Sequence, residues 1–295
     1  MANLLIKAAP ISDILPSLIH AFEIAGIKTA SLDARLLVQH VTNLTHSGFI
    51  QHKDLFLTDA QSEALSNLVH RRLNREPISR ILGHSEFWSL PFLISKDTLD
   101  PRPDTETLIE HALEKIGSRK NEPLRILDLG TGSGCILLSL LHELPFATGV
   151  GADINPGALE IAQKNASQLG LNERAKFQKS DWFSTIEGKF DYVLSNPPYI
   201  PESELDELMP EVRHFDPALA LNGGETGLDP YKIIFGKAKE FLAPSSLLLL
   251  EFGQGQDAQL VEILNKSNLK PYIQNHDLKS DLAGTIRTVA IKLSF

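Results

Sequence analysis

Apolar residues recur at the spacing of an amphipathic helix near the start of the chain, where Ile11, Ile14, Leu15, Leu18, Ile19 and Phe22 share a face before Gly26 interrupts them. A second stripe of Leu32, Leu36, Leu37 and Val41 follows Ser31, which is placed to cap it. A third, of Leu65, Leu68, Val69 and Leu73, follows Thr58. Residues 1–76 therefore predict a small helical bundle, closed by Pro77. Then the period changes. Ile81-Leu82 and the stretch from Phe87 to Ile94 are short, rich in aromatics and punctuated by Gly83 and Pro91, so 77–99 predicts a β-hairpin linker.

From Arg125 onward, strand-length apolar runs at 125–129, 148–152, 175–179, 190–195 and 246–252 alternate with helical stripes at 135–143, 156–169, 228–242 and 257–266. The tail adds strands at 271–277 and 285–295 with no helix between them, which predicts an antiparallel hairpin at a sheet edge. Together these give an α/β fold, a doubly wound, mostly parallel sheet of seven strands over 100–295, preceded by the helical bundle. The length of 295 residues agrees with two domains, since one core stops growing at about 250–300 residues.

A composition of 42% hydrophobic and 22% charged residues is that of a globular chain and excludes a collagen-like, coiled-coil or mainly disordered one. Cys135 is the only cysteine, which rules out an internal disulfide and a Cys-based metal cluster and fits a reducing, cytoplasmic setting. The N-terminus lacks the pattern of a signal peptide, and apolar runs such as 247–250 fall far short of the ~20 residues of a membrane span. The net charge is −9, yet residues 1–76 hold seven basic and seven acidic residues, so the whole acid excess lies in the larger part. That argues against a duplex-DNA substrate, which needs Lys and Arg facing its phosphates. Arg71, Arg72, Arg75 and Arg80 form a basic end to the bundle that reads as a solvated face, with partner docking as the alternative.

The first strand of the alternating region ends at Asp128-Leu129 and runs into Gly130, Thr131, Gly132, Ser133 and Gly134 before a helix. Glycines there let the backbone approach a bound nucleotide. A dinucleotide fingerprint would place its third glycine where Cys135 stands, so the loop suits a phosphate-free nucleoside better than NAD. Asp153 closes the second strand 23 residues after Gly130, in position to accept from ribose hydroxyls; Asn155 is better placed than Asp153 to cap the next helix. Asp181 and Trp182 follow the third strand and offer an acceptor and a flat ring to an adenine; a core tryptophan is the competing account.

The decisive run is Asn196, Pro197, Pro198 and Tyr199, directly after the apolar Tyr192-Val193-Leu194. Two prolines stop a strand and stiffen its exit, which explains the prolines but not their polar and aromatic flanks. The Asn196 side-chain oxygen and the Pro197 carbonyl can both accept from one NH2 group, and Tyr199 can cover its flat face. An amide nitrogen is a weak nucleophile because its lone pair is delocalised. Two carbonyl acceptors hold it in place and stabilise the positive charge that develops on methyl transfer. No strong base is required, because the proton leaves afterwards.

The loop from Asp128 to Gly134, Asp153, and the run from Asn196 to Tyr199 together resemble class I S-adenosylmethionine-dependent methyltransferases that act on planar nitrogens. More narrowly, Ile81-Leu82-Gly83, Glu86-Phe87, the run Pro101-Arg102-Pro103-Asp104-Thr105-Glu106, Phe215-Asp216-Pro217 and Ala220-Leu221 resemble the protein-glutamine N5-methyltransferases of peptide chain release factors. The resemblance runs from the N-terminal helices to the end of the chain.

It implies a Rossmann-like methyltransferase sheet, with S-adenosyl-L-methionine as cofactor and S-adenosylhomocysteine as product. The acceptor would be the glutamine of the Gly-Gly-Gln tripeptide of class I release factors. By that resemblance Gly130 to Gly134, Asp153, Asp181, Trp182 and Asn196 bind the cofactor, while Asn196, Pro197, Pro198 and Tyr199 hold the glutamine. Asn196, Pro197 and Tyr199 would carry the catalysis. The 1–76 bundle would dock the substrate, with no direct nucleic acid, no membrane and a monomeric state expected.

Residues 101–106 would border the methionine end, and Asp104 or Thr105 is expected to cap the following helix rather than to make contact. Ser89 departs from the family's usual glycine, and Thr285-Ile286 from a more polar pair. No paired histidine spacing and no Gly-x-Ser-x-Gly elbow occurs, so metal and hydrolase chemistry fit poorly. An alternative keeps the cofactor and takes an exocyclic amine of adenine or guanine as acceptor; a non-catalytic adaptor is the third reading.

Overall fold

The computed structural model describes Ile6 and residues 8–295; the start of the 1–76 bundle, residues 1–5 and Lys7, lies outside the described residues. The chain forms two units, one of residues up to Gly83 with Pro210–Phe215, the other of His84–Met209 with Asp216–Phe295.

The first unit contains α1 (Ile11–Ile24), α2 (Ala30–Thr42), α3 (His46–Gln51), α4 (Asp59–Leu73) and α5 (Ile78–Leu82). α1 buries Ile11, Ile14, Leu18 and Phe22, the stripe its spacing predicts. Thr58 opens α4 through a capping box: its hydroxyl accepts from the Gln61 N–H at 3.2 Å, and Gln61 Oε1 accepts from the Thr58 N–H at 3.0 Å. α2 departs from expectation. Its cap position is Thr29 rather than Ser31, and its buried face is Ala30, Asp33, Ala34, Leu37 and Val38, with Leu32 exposed. That rotation brings Asp33 onto Arg72, whose Nε lies 2.7 Å from its carboxylate.

The basic end of the bundle is not a solvated face. Arg72 is 5% exposed and also donates to Glu211 at 3.3 Å. Arg75 donates to Glu211 at 2.7 Å and to the Ala25 carbonyl at 2.8 Å, and Arg71 grips Glu76 with two nitrogens. These charges are neutralised inside the unit by Asp33, Glu76 and Glu211, the last of which stands 139 residues beyond Arg72.

The second unit opens with β1 (His84–Phe87) and β2 (Leu90–Leu93), an antiparallel hairpin turning at Trp88 and Ser89. Both turn residues are left-handed, with φ of 53° and 57°, the geometry that follows strand twist and ordinarily favours glycine. Trp88 anchors the turn, its N–H donating to Glu106 at 2.8 Å and its indole to Glu143 at 2.9 Å. Residues 77–99 thus hold α5 as well as the hairpin.

There follow α6 (Glu106–Ile116), β3 (Arg125–Leu129), α7 (Cys135–Glu143), β4 (Thr148–Asp153), α8 (Pro156–Gln168), β5 (Ala175–Lys179) and β6 (Phe190–Ser195). A helix at Asp229–Lys237 leads to β7 (Leu242–Glu251), a helix at Asp257–Lys266 to β8 (Ile273–Ser280), and β9 (Ile286–Leu293) ends the fold. The seven-stranded sheet has the order β5-β4-β3-β6-β7-β9-β8, parallel except that β9 runs antiparallel to both neighbours.

The central strands β3, β6 and the second half of β7 are apolar on both faces because both faces are covered. Along β6, Tyr192 and Leu194 join the layer of Leu108, Leu137 and Leu141, whereas Val193 joins the opposite layer of Tyr231, Phe235 and Leu260. Cys135 packs into the first layer as expected, its thiol pushed up to about 12 by burial. Successive connections leave β3 toward β4 on one side and β6 toward β7 on the other, which opens a crevice at the carboxyl ends of these strands. Among the described residues no helix is long and apolar enough to cross a membrane.

Candidate active site

A cavity of about 320 Å³ occupies that crevice, and Gly130, Gly132, Asp153, Asp181, Trp182 and Asn196 line it together with Pro198. The β3–α7 loop reaches it by bending back on β4, with the Gly130 and Thr131 N–H groups donating to the Ala152 carbonyl at 2.8 and 3.0 Å. Gly130 and Gly132 hold φ of 69° and 56°, and a Cβ at either would project into open space, which keeps the loop's backbone bare to a ligand.

Thr131, Ser133 and Gly134 stand behind that surface. Thr131 donates to Asp128 at 2.6 Å, the Ser133 carbonyl accepts from Asn165 at 2.9 Å, and Gly134 begins α7.

Asp153 is fixed from two sides, accepting from the N–H of Gly132 and of Asn155 at 2.9 Å each. Asn155 in turn caps α8, accepting from the Gly157 N–H at 2.9 Å, as the sequence reading assigns. Burial raises the Asp153 pKa against those backbone donors. Trp182, left-handed at φ 51°, both lines the cavity and packs on the core layer of Tyr231, while exposed Asp181 stands at the rim. Asp128 at the end of β3 is 0% exposed, with Oδ1 lacking a hydrogen-bond partner among the described residues. Burial pushes it up to about 7.

The charge of the lining decides what can enter. Asp97, Asp153, Asp181 and Asp229 line the cavity, and among the described residues no Lys or Arg does. A phosphate would meet four carboxylates and, among the described residues, no cation, which disfavours a dinucleotide. A phosphate-free nucleoside with ribose hydroxyls and positive charge fits, and S-adenosylmethionine is such a group.

Asn196, which lines the cavity, leaves β6 with Nδ2 donating to Thr105 Oγ1 at 3.1 Å. Thr105 occupies the position before α6 without making a cap bond, so the expected capping role is replaced by contact with Asn196. Asp104 instead pairs with Arg287 at 3.0 Å. Among the described residues no hydrogen bond engages Asn196 Oδ1 or the Pro197 carbonyl. Pro197 is buried and Pro198 lines the cavity. The Tyr199 ring packs against the core, with its phenol pushed up to about 12 by burial, and its carbonyl accepts from Gln256 at 2.9 Å.

Several contributors escaped the sequence reading. Residues 222–227 lie against the Asn196 to Tyr199 run, with the Gly223 N–H donating to Ile200 at 2.9 Å; a Cβ at Gly223 or Gly227 would strike the Pro198 or Tyr199 carbonyl. The glycine density there was the available signal. Gln256 and Glu251 carried none. Glu251, 2% exposed at the end of β7, is raised to about 7 by burial, against the pull of the Thr105 hydroxyl, Arg287 and the Asn196 amide. Two of the resembling motifs meet here, Arg102 pairing with buried Asp216 at 2.7 Å.

Residues 13–83 match the family described as PrmC N-terminal domain, and 84–212 the family described as Methyltransferase small domain. A release factor glutamine methyltransferase of Rhodospirillum rubrum is 46% identical over 90% of this chain and 79% of its own. That of Cereibacter sphaeroides is 38% identical over 96% and 98%. Among solved structures, the hMettl16 catalytic domain in complex with the MAT2A 3'UTR hairpin 6 superposes with a TM-score of 0.58, covering 86% of this chain and 91% of that one; at 16% identity this speaks for the fold alone.

Proposed function

Because the chain belongs to the release factor glutamine methyltransferases, we propose that it methylates the side-chain amide nitrogen, N5, of the glutamine in the Gly-Gly-Gln tripeptide of class I release factors. The observation that carries this reading is a cavity lined, among the described residues, by carboxylates without a cation and by an asparagine whose side-chain oxygen is unengaged.

S-adenosylmethionine supplies an electrophilic methyl group when bound and leaves as S-adenosylhomocysteine. Gly130 and Gly132 would give it a bare backbone surface, Asp153 its ribose acceptor, and Asp181, Trp182 and Asn196 the remaining wall, with Thr131, Ser133 and Gly134 keeping the loop in shape. On the acceptor side, Asn196 Oδ1 and the Pro197 carbonyl take the two hydrogens of the glutamine NH2, which fixes the direction of its lone pair. The same two oxygens stabilise the charge that grows on nitrogen, because they are held in place before it forms. Pro198 stiffens the turn and Tyr199 covers the flat amide. The spare proton leaves after transfer, so the site needs no strong base.

In this reading residues 1–76 dock the substrate, 77–99 link, and 100–295 carry the reaction, in a cytoplasmic monomer that does not engage nucleic acid. The arginines of the bundle support the last point, since Arg72 and Arg75 are paired with Asp33 and Glu211 rather than offered to phosphates.

The test is methyl transfer from labelled S-adenosylmethionine to a purified class I release factor, read by mass spectrometry beside a version with the tripeptide glutamine replaced. Label on that glutamine alone is expected. Label on added RNA with none on the protein would overturn the reading in favour of a base methyltransferase.

A further inference from the structure

On the reading of Asn196 as the amide clamp, we propose that Thr105 and Glu251 are positioning residues that hold the Asn196 carboxamide with its oxygen turned toward the substrate nitrogen. A carboxamide can bind another amide in two orientations, and only one presents an acceptor to an NH2 group. Asn196 Nδ2 is committed to Thr105 Oγ1 at 3.1 Å, so Oδ1 lies on the opposite side of the group. Thr105 is 3% exposed and gives nothing to the helix it precedes, which leaves its hydroxyl hydrogen for an acceptor nearby.

The sheet places that acceptor. Ser195 of β6 stands opposite Leu250 of β7, so the next positions, Asn196 and Glu251, emerge side by side. Glu251 is 2% exposed, and its Oε2 has no hydrogen-bond partner among the described residues. With the Thr105 hydrogen given to Glu251, a flipped Asn196 amide would set oxygen against oxygen. The arrangement therefore selects one orientation before substrate arrives, the preorganisation on which an electrostatic clamp depends. Buried polar chemistry with no ligand of its own otherwise has no account at this end of β7.

Turnover of a release factor is to be measured for Thr105→Val, Thr105→Ser, Glu251→Gln and Asn196→Ala in the full chain, with thermal melts of each. Thr105→Val keeps the shape and loses the hydroxyl, so kcat is expected to fall about tenfold or more while the KM for S-adenosylmethionine stays within about twofold. Thr105→Ser keeps the hydroxyl and loses a methyl, and is expected to recover kcat to within about threefold. A packing role predicts the reverse ranking, Val above Ser, and that ranking would overturn the proposal. So would wild-type kcat in both Thr105→Val and Glu251→Gln. Asn196→Ala separates the two levels: if it turns over normally, the clamp reading fails; if it is inactive while Thr105→Val and Glu251→Gln keep wild-type kcat, only the positioning role fails.

Discussion

Carboxylates taken out of water are treated in opposite ways in the helical unit and at the carboxyl ends of β3 and β7. In the helical unit, Asp33 is 1% exposed and lies 2.7 Å from Arg72. Burial pushes Glu211 up, but Arg75 and Arg72 outweigh it and hold it below its ordinary value. In the sheet unit, Asp128 and Glu251 are as deeply buried, and burial raises both to about 7. A matched pair is an architectural device, destabilising only when one partner is removed. An unmatched acid weakens the fold at neutral pH and persists where something else uses its oxygens; here Asp128 stands two residues before the cavity-lining Gly130, and Glu251 stands beside the cavity-lining Asn196. Charge complementarity therefore separates Asp128 and Glu251 from the ion-paired acids, among them Asp216, which Arg102 matches within the sheet unit itself.

The sharpest way to break the contrast is Arg72→Met, which leaves Asp33 buried without its partner. A loss of about 3–5 kcal/mol is expected, read from the denaturant midpoint of the helical unit's transition. Glu211→Gln should act in the same direction but less, about 1–2 kcal/mol, because Arg72 keeps Asp33 and Arg75 keeps the Ala25 carbonyl. Asp128→Asn should act in the opposite direction. A carboxyl raised from 3.8 to about 7 binds its proton more tightly when folded, so the ligand-free protein loses stability as pH rises between those values. Asparagine cannot ionise, so melting temperatures across that range should flatten, with a gain on the order of 1 kcal/mol at pH 8. An unchanged slope would mean that Asp128 ionises in the folded protein as it does in the unfolded chain, its burial offset by its hydrogen-bond donors.

Much of the fold was legible in the sequence. Strand and helix periods placed β3, α7, β5 and β6 at their observed bounds, and β3, α7 and β6 are buried along nearly their whole length. Thr58 was legible as a cap because its partner Gln61 is three residues away. What failed to show was long-range. Arg72 reads as a surface charge until Glu211 arrives from a distant loop, and Thr105 reads as a cap until Asn196 arrives 91 residues later. Local pattern likewise gave Ser31 to α2, because it could not see that Asp33 must face inward. At the cavity, the residues on strand ends were visible, while Gly223, Gly227 and Gln256, which brace the Asn196 to Tyr199 run from elsewhere, were not.

Strand β6 is held in register on both sides, Ser195 standing opposite Leu129 of β3 and Leu250 of β7, with its hydroxyl also tied to the Leu129 carbonyl at 2.7 Å. A strand clamped in this way behaves as a ruler. Because its side chains alternate between the two faces, one residue added or removed before Asn196 would send that side chain to the wrong side of the sheet. Changes in chain length are therefore forbidden in these few positions. They can accumulate instead at the β8–β9 turn, where Leu282 is fully exposed and contributes to neither layer.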